Sequence, residues 1–105
     1  MWNDTREFSS MVMLVRDALL EMKKVLDYTG DVAANYMKME ARCRKIYVFE
    51  ERGDEFYREE IRRLFTEKQS AAYMIYWKDI LVDVERMLDA AAGAATLLQK
   101  LFVRV

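Results

Sequence analysis

Proline is absent from all 105 residues, and glycine occurs only three times. Such a chain has little turn chemistry, so it must be built from few, long elements. Its apolar residues recur by threes and fours, the period of an amphipathic helix. With 53% apolar and 33% charged residues, it is too apolar for disorder and too charged for a membrane-embedded protein. The expected class is all-α.

Three helices are expected, at about residues 5–28, 31–65 and 71–102, in one domain spanning 1–105. Asp4 can cap the first, with Glu7 completing a capping box. Its apolar stripe is Phe8, Met11, Val15, Leu19, Met22 and Leu26, widened by Leu14, Ala18 and Val25. Gly30 is placed to end that helix in the left-handed conformation, and Asp31 to cap the next. The second stripe runs Val32, Met39, Cys43, Ile46, then Glu50 and Gly53 or Asp54, before returning to Tyr57, Ile61 and Leu64. Ser70 can cap the third helix, whose stripe is Met74, Trp77, Leu81, Val84, Leu88, Ala91, Ala95, Leu98 and Leu101. Long helices joined by short turns predict an antiparallel up-down three-helix bundle.

A body this long and thin, with eight methionines, has apolar surface left over. A homodimer is the simplest use for it. The small residues Ala90–Ala95 allow a close helix approach, from within the bundle or from a partner.

Several functions are excluded. Charges of both signs are interspersed and net charge is −1, so there is no basic face for nucleic acid. The lone cysteine, Cys43, sits at apolar spacing with Met39 and Ile46 and reads as a buried small hydrophobe. Histidine is absent, which removes the usual base of triad and acid–base chemistry. No glycine-rich phosphate loop exists, and an enzyme is not expected. The longest uncharged run, Ala90 to Gln99, is far short of the ~20 residues that cross a bilayer. The apolar stretch Met11–Val15 is flanked by charges, unlike a signal peptide. A cytoplasmic location is expected.

Two carboxylate pairs stand out. Glu50/Asp54 interrupts the second apolar stripe, and Glu85/Asp89 lies beside the third. Acids four apart share one helix face and repel unless something compensates. Salt bridges to Arg or Lys are one compensation and a hard cation is another, since facing carboxylates on bundle helices build oxygen-ligand metal sites. Antiparallel helices turning near residue 68 put residue 50 level with roughly residue 86, so the two pairs are expected at the same height. By contrast, Glu51, Glu55 and Glu59 lie among Arg52, Arg58, Arg62 and Arg63 and read as a solvated face, while Asp27 and Asp31 suit capping. Without histidine and with one cysteine, the donors favour iron, manganese or magnesium over zinc.

The segment Phe49-Glu50-Glu51-Arg52-Gly53-Asp54-Glu55 resembles the Glu-x-x-Gly-Asp segment of the PhoU-like family, which includes accessory proteins of phosphate permeases. Arg63-Leu64-Phe65, then Tyr76-Trp77-Lys78-Asp79-Ile80-Leu81, Val84-Glu85, Asp89 and Leu101-Phe102-Val103 follow in that family's order, over roughly residues 40 to 105. The resemblance implies a three-helix half of a six-helix protein. It implies iron, or another divalent metal such as manganese, magnesium or zinc, on Glu50, Asp54, Glu85 and Asp89. It also implies regulation of phosphate uptake through a phosphate transporter or sensor kinase at the membrane. Family members carry two bundles per chain where this chain has one, which a homodimer would restore. They often carry further acids where this chain has Ala90 to Ala95. The competing reading is a metal-free helical protein–protein interaction module, and metal content discriminates the two.

Overall fold

Asp31 and Ser70 begin the two later helices. Asp31 has an extended backbone (φ −146°, ψ 85°), and its carboxylate accepts from the Ala34 amide at 3.1 Å. The Ser70 hydroxyl accepts from the Tyr73 amide at 3.2 Å. Both supply an acceptor to a first-turn amide that has no partner inside its own helix.

The structure is a computed structural model that describes residues 4–67 and 70–103. It is all-helical, with no strand among the described residues: α1 Asp4–Asp27, a 3-10 turn at Thr29–Asp31, α2 Val32–Thr66 and α3 Ala71–Val103. No described residue has a positive φ, so Gly30 does not end α1 as expected. The chain turns instead through the 3-10 segment, where the Asp31 amide donates to the Tyr28 carbonyl and the Thr29 hydroxyl to the Leu26 carbonyl. Two elements joined so tightly need no left-handed residue between them. Asp4 lies inside α1, and its side chain is outside the described residues. Glu7, expected in a capping box, is buried against α2.

All three helices touch one another, α2 most closely with α3 and α1 least with α3. Positions along them correspond in order: Glu7 meets Arg63 and Glu21 meets Arg42, while Gly53 meets Leu88 and Tyr47 meets Thr96 and Gln99. One core cluster contains Met39, Cys43, Ile46, Leu88 and Ala95. A second contains Met11, Leu64 and Leu81. Cys43 is completely buried, and burial, then nearby Glu40, pushes its thiol pKa up; it packs as a hydrophobe.

The buried line of α1 is rotated from the expected stripe. Met11, Ala18 and Val25 are in the core together with Glu7 and Glu21, while Phe8, Leu19 and Leu26 are 44–56% exposed. On α3, Phe102 is buried where Leu101 was expected. Ala91 and Ala95 pack inside the body, whereas Ala90 and Gly93 face outward. The molecule measures 55 × 20 × 16 Å. No helix among the described residues is long and apolar enough to cross a membrane.

Candidate functional site

Gly53 is buried halfway along α2, where its missing side chain lets the helix close on α3. A Cβ there would collide with the Leu88 side chain. Around this contact, Glu50 and Asp54 project from α2 and Glu85 and Asp89 from α3, each pair one turn apart. Facing the other helix, the acids pair crosswise. Glu50 comes within hydrogen-bond reach of Asp89, and Glu85 within reach of Asp54.

The expected level was short by about one turn: Glu50 meets Asp89 and not residue 86. Side chains lean toward the N-terminus of their own helix, which shifts the level at which residues of neighbouring helices meet.

Partial burial raises the pKa of Glu50, and the hydrogen bond and charge of Asp89 raise it further, with smaller contributions from Asp54 and Glu51. Glu85 is raised in the same way, first by burial, then by its hydrogen bond with Asp54 and the charges around it. One cation intrudes: Arg58 Nη2 lies 3.1 Å from Asp54 Oδ2, on the exposed side. Among the described residues, no three acids or cysteines already stand in a ligating arrangement. What exists is two facing carboxylate pairs. Each can share a proton, and together they offer hard oxygen donors once Asp54 turns from Arg58. The cavity beside them, lined by Gly53, Glu85 and Leu88, measures about 10 Å³, roughly room for one water.

The other acid pairs are placed differently. Glu51, Glu55 and Glu59 are exposed, Asp27 pairs with Lys23 at 3.4 Å, and Asp31 caps α2.

Sequence reasoning missed the buried glutamates that join α1 to α2. Glu7 is 4% and Glu60 3% exposed, and Arg63 Nη1 lies 3.3 Å from one and 3.2 Å from the other. Arg6 reaches Glu7 from solvent. Glu21, 7% exposed, takes Arg42 at 3.3 Å and Lys24 at 3.4 Å. The available signal was spacing: Glu7 is four residues before Met11, Glu21 four before Val25 and Glu60 four before Leu64, so each shares a face with a core residue.

No protein-family model, no curated protein and no solved structure matches this chain.

Proposed function

We propose that the chain is a PhoU-like regulatory or accessory protein of phosphate transport, and that its Glu50, Asp54, Glu85 and Asp89 carboxylates take up a divalent cation. On this reading the helices form an antiparallel up-down three-helix bundle that acts in the cytoplasm by contact, without catalysing a reaction. The observation that supports it most is the crosswise meeting of four acids at the Gly53–Leu88 contact, where burial and neighbouring carboxylates raise the pKa of Glu50 and Glu85. Carboxylates pressed together by the fold favour either protons or a cation, and at neutral pH a cation is the stronger compensation. All-oxygen donors suit iron, manganese or magnesium, with zinc the weaker fit. A bound cation would neutralise the four acids and tie α2 to α3. The link to a phosphate transporter or sensor kinase rests on the order of motifs from Phe49 to Val103.

Elemental analysis tests the metal. The protein is purified without chelator or nickel resin and loaded with ferrous iron. Stoichiometric metal is expected in the wild type and none in Glu50→Gln/Asp54→Asn, with helix content unchanged by circular dichroism. Loss of helix in that variant would make the acids structural. Absence of metal in the wild type would favour a metal-free helical interaction module. The exposed apolar residues of α1 and α3 support that second reading.

A further inference from the structure

The loosest contact among the three long helices, between α1 and α3, leaves an open apolar groove of about 340 Å³ lined by Phe8, Val12, Val15, Leu19, Val84 and Met87, with Arg16 at its edge. Phe8, Val12, Leu19 and Met87 are 44–56% exposed. Helical spacing puts Leu26 on the face of Leu19, and Tyr76 and Leu101 on the face of Met87, and each is more than half exposed. This is the face left over when α1 turns its other apolar line, Met11, Ala18 and Val25, into the core. A strip this continuous is unusual for a surface that stays in water.

We propose that a second copy of this chain covers the groove, face to face, about a two-fold axis parallel to the helices. Area and charge both point to that occupant. The chain exposes 6888 Å², whereas a compact monomer of 12.5 kDa would expose about 6200 Å². The surplus, about 700 Å², is close to the ~800 Å² that each partner contributes to a standard interface. The radius of gyration, 16.6 Å, likewise exceeds the ~13 Å of a compact chain this long.

The rims of the groove carry opposite charge. Arg16 follows Val12 by one turn on the α1 rim, and Asp83 precedes Met87 by one turn on the α3 rim. Phe8 packs on Trp77, and Leu19 shares the groove with Met87, so the two helices advance together and Arg16 and Asp83 stand at similar heights. A two-fold axis along the helices lays α1 of each copy over α3 of the other and brings Arg16 to Asp83 twice. Among the described residues, Asp83 has only a long, exposed contact with Arg86, at 3.7 Å. This interface does not depend on the metal reading, because the four acids lie on the α2–α3 side.

Sedimentation equilibrium at micromolar concentration tests it. Twice the 12.5 kDa chain mass is expected for the wild type. Leu19→Glu/Met87→Glu should give the single-chain mass with unchanged circular dichroism. Arg16→Glu or Asp83→Arg should each weaken the dimer by about fivefold or more, and the two together should recover it. If the glutamate variant fails to fold, Arg16→Cys/Asp83→Cys decides: a disulfide-linked dimer on oxidation supports the interface, and its absence overturns it. A monomeric wild type, or a dimer that survives in the folded glutamate variant, would also overturn it. A monomeric wild type would assign the groove to a different apolar partner.

Discussion

Acids buried between α1 and α2 and acids gathered between α2 and α3 meet opposite company. Glu7 and Glu60 flank Arg63, and Glu21 receives Arg42, so each buried glutamate has a cation within 3.3 Å. Between α2 and α3, Glu50 and Glu85 face other carboxylates, and the nearby Arg58 reaches only the exposed side of Asp54. The first arrangement is closed, since charge and counter-charge come from the same chain. The second is open, because Arg58 reaches Asp54 while Glu50 and Glu85 meet carboxylates. The same residue type thus serves as a clamp in one interface and as a candidate binding group in the other.

The largest effect should come from breaking the clamp. Arg63→Met leaves Glu7 and Glu60 buried without that guanidinium and should cost about 3 kcal/mol, measured by urea unfolding. A loss no greater than that of an exposed pair would show the clamp to be marginal.

Gly53→Ala tests the close approach that gathers the acids. Alanine gains up to ~1 kcal/mol of helix propensity. Overpacking against buried Leu88 should outweigh that, for a net loss of about 1–2 kcal/mol. A stabilised variant would mean that the contact yields easily and does not hold the carboxylates together.

Glu50→Gln/Glu85→Gln should do the reverse of the Arg63 change, stabilising the metal-free protein at neutral pH by a few tenths of a kcal/mol as like-charge repulsion is relieved. The pH dependence follows. Both pKa values are raised in the folded protein, so between the usual carboxylate range and the raised values the folded state binds more protons than the unfolded chain. Stability therefore falls as pH rises through that window. The glutamine variant should lose this slope, and an unchanged slope in pH-dependent thermal melts would place its origin elsewhere. The smallest effect is a control: Arg62→Ala removes an exposed partner of Glu59 and should leave the urea midpoint unchanged, because a solvent-exposed pair is screened by water and salt.

The helices were legible because their signals are local. Three-four spacing marks the elements, and Asp31 and Ser70 mark two of their starts. The rotation of α1 was not legible, because both Met11–Ala18–Val25 and Phe8–Val15–Leu19 are apolar lines. Hydrophobicity does not rank two apolar faces; the burial of Glu7 and Glu21 against Arg63 and Arg42 accompanies the choice, and that is tertiary information. For the carboxylates, spacing on one helix placed Glu50 with Asp54 and Glu85 with Asp89. It did not give their crosswise partners, which depend on side-chain lean and on how far Gly53 lets α2 approach Leu88. The Arg58 contact is itself a four-residue spacing within α2, and the charge-dense stretch around it obscured its one specific partner.

The cation site is tested by thermal unfolding at neutral pH, with and without ferrous or manganous ion under anaerobic conditions. A metal-dependent rise in Tm is expected for the wild type and should disappear in Glu50→Gln/Asp54→Asn, because a cation that binds only the folded chain stabilises it. No rise in the wild type, or an equal rise in the variant, would contradict the assignment of a cation to these four carboxylates.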